Sequence, residues 1–331
     1  MPSKVLPTRN PDALRTFISG SEQFRAYLIS GKADLLNDAG RNFTDATTLD
    51  PNFKLARFYR SVVQTEMRKA DSAIQGLSEL LAEGVEFRAE VLIHLAYAHI
   101  KRYTDDDFFT AERFLKEARE QAAARRGTDL MLLTDALSVF LYSVMAGYLS
   151  RTEERPKYID RAVELGEELL NGPLKSNSQV EARFEVLNGL GIAHMRKGNL
   201  PEQCDRDTEW CTAERYFHEA LEIRPSSVRV MQNQGLLKGM AGLRARSETK
   251  ENEASEYFSR AKAWFLRSLD LNPNDQYPHY RLSQLFALTG DWESAKKYFA
   301  SGRVQIGAVK PRQWQALEEA ISNLNASGLR W

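Results

Sequence analysis

Small and apolar residues recur along the chain at the spacing of one helical face. In the stretch AERYFHEA, Ala213 is followed by Phe217 four residues later and by Ala220 seven residues later. Offsets of four and seven fall on the same side of an α-helix, so the stretch predicts an amphipathic helix with one packed face. The same stripe starts at each of these alanines: Ala39, Ala73, Ala111, Ala162, Ala213, Ala261 and Ala295.

A second apolar segment precedes each of these stripes. Near the carboxyl end, Leu282, Ser283 and Phe286 come before Ala295, and Gly290 stands between them. Glycine favours a tight turn, and a small residue such as Ser283 lets two helix backbones approach closely. The pattern therefore predicts about seven antiparallel helix pairs.

The paired unit resembles the tetratricopeptide repeat, which is 34 residues long and has small residues on both helices, a ring on the second helix and a proline at the junction. Phe265 and Pro273 occupy the last two of these positions in one pair. The resemblance covers residues 22–307. It implies an all-α fold, a right-handed α-solenoid of about seven helix pairs.

The two ends of the chain fall outside this array. Residues 1–21 form an N-terminal segment, and residues 308–331 are expected to form a capping helix that begins at Pro311. A cap is needed because each repeat leaves an apolar face for its neighbour, and the last repeat has no neighbour.

Two helix pairs are longer than the repeat requires. The extra residues are polar and lie near 200–210 and 244–257, between the two helices of a pair. We interpret them as loops on one rim of the solenoid. Such a rim is a second candidate binding surface, because insertions in repeat proteins often carry function.

Charge and composition narrow the function classes. The 331 residues contain 45 Lys and Arg against 45 Asp and Glu, and this balance argues against a nucleic-acid or anionic-membrane binder. Two cysteines and an N-terminus without a secretory pattern favour the cytoplasm. The most apolar stretch, 131–149, contains Asp135 and is expected to be a buried helix rather than a membrane span.

The sequence contains no catalytic motif that we recognise, such as a phosphate-binding glycine loop, GxSxG or HExxH. One cluster could bind zinc, formed by His194, Cys204, Cys211 and His218. Six residues separate its two cysteines. A zinc knuckle has two to four, so packing is the favoured interpretation. We predict no metal, no cofactor and no enzymatic activity.

The family resemblance also implies a binding surface, because the first helices of such pairs line a concave groove that holds partner peptides or helices. Arg, Asn and Tyr are suited to hold carboxylates and a peptide backbone. On this template the groove residues are Asn188, Arg229, Gln232, Asn233, Tyr277, Tyr280, Arg281 and Gln284.

Some co-chaperones of this family grip a carboxyl terminus with a five-residue clamp. Asn233 and Arg281 match two clamp positions, whereas Asn188, Ile192 and Tyr277 replace Lys, Asn and Lys. The clamp is therefore not predicted. The expected function is a scaffold or adaptor that binds a peptide or helix of another protein. The alternatives are a ligand-sensing regulator and an enzyme with its active site in the groove.

Overall fold

The computed structural model describes residues 8–125, 127–175, 179–200, 205–303 and 312–323. Within these ranges the secondary structure is helical, with no strand, so the all-helical prediction is confirmed. The α-helices are α1 (Pro11–Ser30), α2 (Ala33–Leu49), α3 (Lys54–Glu66), α4 (Ala70–Ala82), α5 (Arg88–Ile100), α6 (Asp105–Ala124), α7 (Thr128–Tyr148), α8 (Arg155–Asn171), α9 (Val180–Lys197), α10 (Arg206–Ile223), α11 (Val228–Ser247), α12 (Glu251–Leu271), α13 (Gln276–Leu288), α14 (Trp292–Arg303) and α15 (Arg312–Ser322).

The helices form two compact units, Met1–Pro225 and Ser226–Trp331. The first unit contains the five hairpins from α1–α2 to α9–α10, and the second contains α11–α12, α13–α14 and the single helix α15. Within the described residues this gives seven helix pairs and one terminal helix. The right-handed superhelix stays a prediction. Helix α1 spans the boundary that we placed after residue 21, since it begins at Pro11.

The alanine stripes are the packed faces of the second helices. All seven stripe alanines have no exposed surface, and four residues further on Phe43, Phe217 and Phe265 are equally buried. Phe265 packs against Gly235 of α11, where a methyl group would lie 2.8 Å from the ring. The ring of the second helix thus fills the space that a small residue leaves on the first, as the sequence predicts.

In the fourth pair, a side chain of the next pair fills the space that a ring or a leucine fills elsewhere. Its stripe has Gly166 where the other pairs have a ring or a leucine. A methyl group at Gly166 would lie 2.7 Å from the side chain of Leu190, so a leucine of the next pair occupies the space. The repeat departs from its pattern here without leaving a hole.

Helix α7 is the one described helix with the length and composition to cross a membrane. In the fold, 61% of its apolar window is buried. It approaches α9 closely, since Ser143 donates a hydrogen bond to the Gly189 carbonyl at 2.7 Å and a methyl group at Gly189 would clash with Val139. This burial agrees with the interpretation of α7 as a core helix.

The polar run at 244–257 is mostly helical, so its interpretation as a loop is wrong. Helix α11 continues to Ser247 and α12 begins at Glu251, which leaves a turn of three residues. Glu248 in this turn pairs with Arg244 at 2.8 Å and with Lys250 at 2.9 Å, and both cations lower the pKa of the Glu248 carboxyl. The extra residues lengthen α11 and α12, because the charges of Arg244, Glu248 and Lys250 pair with one another at the turn between the two helices.

The terminal helix α15 covers the end of the second unit. Trp314, Leu317 and Ile321 are buried, and the Trp314 ring packs against Tyr280 and Phe299 with centroid distances of 5.3 and 5.4 Å. The predicted capping face is confirmed. The predicted start of the helix at Pro311 lies outside the described residues.

A histidine–carboxylate pair closes the hairpin turn in two of the pairs. His99 lies 2.6 Å from Asp107 through its Nδ1 atom, and His194 lies 2.5 Å from Glu209 through its Nδ1 atom. Each histidine stands three residues after the small residue of its first helix, Ala96 or Gly191, and each carboxylate stands four residues before the stripe alanine. The two histidine–carboxylate pairs therefore occupy equivalent positions of the repeat. Neither the periodicity of apolar residues nor the count of charges predicted them.

Replacing Asp107 by asparagine is expected to lower the free energy of unfolding at pH 7 by about 1–3 kcal/mol, because a buried charged acceptor is lost. Burial raises the pKa of the Asp107 carboxyl, but hydrogen bonds from Thr104 and His99 outweigh burial and lower it overall. Stability from a lowered pKa is present above the unfolded pKa of about 4 and is lost below it. The difference in the free energy of unfolding between wild type and Asp107→Asn should thus become smaller as pH falls below about 4. Urea unfolding at several pH values measures it.

The exposed neighbour Asp106 provides the control for this prediction. Asp106→Asn should change the free energy of unfolding by less than about 0.5 kcal/mol. If the difference in the free energy of unfolding between wild type and Asp107→Asn stays constant down to pH 3, the hydrogen bonds assigned to the Asp107 carboxylate are contradicted.

Candidate functional site

The candidate site is the first-helix face of the second unit, defined by the half-buried side chains Arg229 and Asn233 of α11 and Tyr277 and Arg281 of α13. These four residues stand at turn-to-turn spacing, since Asn233 follows Arg229 and Arg281 follows Tyr277 by four residues. Side chains four residues apart lie one above the other on a helix. The face therefore presents two short rows of polar and aromatic groups.

Two hydrogen bonds join the helices that carry these rows. At one end, Gln232 donates its side-chain amide to Asp275 at 2.7 Å. At the other end, Arg246 donates to the Leu288 carbonyl at 2.6 Å. Asp275 also caps α13 by accepting a hydrogen bond from the Tyr277 backbone amide at 3.0 Å. The two first helices are thus tied at both ends, which holds the face in one geometry.

Arg281 lies near the middle of α13. Its guanidinium stands over the rings of Tyr277 and Tyr280 at 5.2 and 5.5 Å, within cation–π distance. It donates a hydrogen bond to the side-chain oxygen of Gln284 at 3.0 Å. The aromatic rings and the amide orient a planar cation of the kind that binds carboxylates with two parallel hydrogen bonds.

The structure corrects four of the eight predicted groove residues. Gln232 and Gln284 are buried and hold Asp275 and Arg281 in place, so they support the face instead of forming it. Tyr280 is 7% exposed, and burial against Trp314 raises the pKa of its hydroxyl. Tyr280 is therefore a core ring and not part of the exposed face.

The fourth correction concerns Asn188. It belongs to α9 of the first unit and has no exposed surface. A side chain that is fully buried cannot hold the backbone of a partner. The template misplaced it because α9 is buried along nearly its whole length against α7, α8 and α10.

The described residues hold no group of three or more His, Cys, Asp or Glu arranged for a metal ion. Cys204 of the predicted zinc cluster lies outside the described residues. His194 is occupied by Glu209, and Cys211 is exposed instead of packed, contrary to the interpretation from sequence. His194 is thus buried as predicted, whereas the prediction that Cys211 is packed is wrong.

A polar cleft of about 470 Å³ lies in the first unit between α8, α9 and α10. Its wall includes Arg183, Arg215 and Glu219. The Glu219 carboxylate forms an ion pair with the Arg215 guanidinium at 2.9 Å and lies 3.8 Å from the Arg183 guanidinium. Arg215 and Arg183 thus share the Glu219 carboxylate. The first-helix face of the second unit is the better candidate, because aromatic rings and an amide orient its Arg281 guanidinium.

No protein-family model and no curated protein sequence matches the chain. Among solved structures, the chain is similar to a tetratricopeptide repeat protein from Parabacteroides merdae, at 13% identity and a TM-score of 0.47 over 94% of this chain and 99% of that one. It is also similar to the TPR2AB domain of yeast Sti1 in complex with an HSP90 peptide, at 14% identity and a TM-score of 0.31 over 94% and 96% of the two chains. A third likeness is yeast Tom70, at 14% identity and a TM-score of 0.39 over 94% and 65%.

The packing of the chain's own residues defines its fold. Buried alanine stripes pack against small residues across each hairpin, and a helix with an apolar face covers the last pair. In the residues that the structure describes, the chain is helical and of the α-solenoid class, built from tetratricopeptide-like helix pairs.

Proposed function

We propose that the chain is a protein-interaction scaffold, and that the first-helix face of its second unit binds a peptide or helical segment of another protein. The observation that carries the proposal is the arrangement around Arg281, where two tyrosines and a glutamine orient one guanidinium on a face tied at both ends. Arginine and tyrosine are the residue types that most often dominate interface energies.

In this proposal Arg281 and Arg229 engage carboxylates of the partner, and Asn233 holds its backbone. Tyr277 supplies aromatic contact area. Gln284 and Gln232 act from below the surface, by fixing Arg281 and the start of α13. The interaction is thus expected to need a partner segment with at least one acidic residue.

Replacing Arg281 by alanine is expected to weaken partner binding by one to three orders of magnitude, because an oriented cation at the centre of an interface typically contributes 2 kcal/mol or more and each tenfold equals about 1.4 kcal/mol. A partner is first identified by affinity capture and mass spectrometry with the whole chain as bait. Its dissociation constant is then measured for wild type and variant by isothermal titration calorimetry.

The matched control is Arg260→Ala. Arg260 lies on α12, its side chain is 54% exposed, and it pairs with Glu256 on its own helix. Its replacement should leave the dissociation constant within about twofold of wild type, since surface ion pairs contribute little. Equal loss of binding in both arginine variants, or unchanged binding in Arg281→Ala, would show that the partner binds elsewhere.

A further inference from the structure

Two tyrosines form an exposed pair in the first unit. Tyr103 lies in the turn between α5 and α6, and Tyr148 is the last residue of α7. Their ring centroids are 4.8 Å apart, and the residues are 43% and 50% exposed. Large aromatic residues that contact one another are usually buried, so an exposed pair at the turns of two adjacent hairpins calls for an explanation.

The backbone of Tyr103 is in a conformation that tyrosine disfavours. Its φ is +58°, in the left-handed region. The equivalent turn position of the last pair, seven residues after the small residue of the first helix, is Gly290 with a φ of +78°. Glycine adopts this region without steric cost, whereas a bulky side chain does so at the expense of stability. The turn between α5 and α6 therefore carries an aromatic side chain where a glycine would fold more easily.

A cation without a carboxylate lies beside this pair. The Arg196 guanidinium stands 5.5 Å from the centre of the Tyr148 ring, in the space that the missing side chain of Gly147 leaves open. Its Nε atom has no hydrogen-bond partner in the described part of the chain. Lys101 stands over the Tyr97 ring at 5.0 Å, and it too makes no ion pair with any described residue.

The nearby carboxylate of Asp105 is held by its own neighbours. It accepts hydrogen bonds from the backbone amide and the hydroxyl of Ser150, and these bonds lower its pKa despite the opposing effect of burial. Asp105 is thus bonded to Ser150, and no ion pair joins Arg196 or Lys101 to a carboxylate in the described part of the chain. An exposed aromatic surface with unneutralised cations is complementary to acidic groups interspersed with apolar ones.

We propose that this aromatic edge, formed by Tyr103, Tyr148, Arg196 and Lys101, is a second docking surface that binds an acidic segment of another protein. Arg68, at the equivalent turn position seven residues after Ser61, has the same backbone conformation with a φ of +61°, so Tyr103 is distinguished by its ring. The turn places that ring on Tyr148, where both rings can pack against apolar side chains of the partner. The carboxylates of the partner lie against Arg196 and Lys101. Strained non-glycine residues concentrate at functional positions of this kind.

The test uses the full chain and a phage-displayed library of random peptides as the probe. The library is selected on wild type and counter-selected on the double variant Tyr103→Gly, Tyr148→Ala. Peptides that depend on the edge should be rich in Asp and Glu with aromatic or aliphatic neighbours. Their affinity for Tyr103→Gly and for Arg196→Gln should each be at least tenfold below wild type.

The melting temperature separates docking from a structural role. Tyr103→Gly should melt at the same temperature as wild type or above it, because glycine removes the backbone strain. Ile18→Ala, at a residue of α1 with 49% exposure, is the control and should leave peptide affinity unchanged. Selected peptides that are basic or purely apolar, or that bind the double variant as well as wild type, would overturn the proposal. So would a lower melting temperature of Tyr103→Gly with unchanged peptide binding, or edge-dependent self-association of the chain in analytical ultracentrifugation.

Discussion

Replacing Phe265 by alanine is expected to lower the free energy of unfolding of the second unit by about 3–5 kcal/mol. The ring is fully buried and fills the space above Gly235, in a cluster with Phe258, Leu282 and Leu285. Because Gly235 has no side chain that could move into the vacated volume, the cavity should persist. A persistent cavity adds its own cost to the lost burial of the ring.

This loss can be measured by urea unfolding of the full chain, with hydrogen exchange of α11, α12 and α13 to assign it to the second unit. Leu266→Ala is the matched control, since Leu266 is the next residue of α12 and is 39% exposed. It should lower the free energy of unfolding by less than about 1 kcal/mol. Similar losses in the two variants would contradict the packed stripe.

Replacing Trp314 by alanine is expected to lower the free energy of unfolding of the second unit by about 3–5 kcal/mol and to promote self-association. The indole packs against Tyr280 and Phe299 and fills the space beside Gly302. Without it α15 loses the centre of its contact, and the apolar end of the last hairpin becomes exposed. Exposed ends of repeat arrays reduce solubility.

Chemical unfolding and light scattering check both parts of this prediction. Gln315→Ala changes the adjacent exposed residue of α15 and should leave stability and the monomer fraction unchanged. If Trp314→Ala unfolds at the same urea concentration as wild type, α15 is not the cap of the second unit.

The packed stripes were predictable because one helical face repeats the same residue sizes. The alanine at each start and the ring four residues later are buried, as at Ala261 and Phe265. Contacts in which one helix pair fills a space in another were not predictable. At Gly166 the space is filled by Leu190, which belongs to the next pair. The paired charges around Glu248 likewise turned an expected loop into helix.

The binding surface was only partly predictable from a template of one helix. The template predicted that the neighbouring residues Tyr280 and Arg281 both line the groove. Trp314, which is distant in sequence, buries the Tyr280 ring, so only Arg281 remains on the surface. The aromatic edge was missed because the φ of Tyr103 and its contact with Tyr148 depend on how two hairpins pack. The signal present in the sequence was a tyrosine at a repeat position where the last pair has Gly290.

Site-specific photo-crosslinking in the native cell shows whether the first-helix face of the second unit binds another protein. A photoreactive benzoylphenylalanine is placed at position 277 or 233 on that face, and at position 266 or 260 on α12. A covalent adduct with a distinct second polypeptide is expected from positions 277 and 233, and none from positions 266 and 260. Adducts that form only from positions 266 and 260, or no adduct from position 277 or 233, would contradict this expectation.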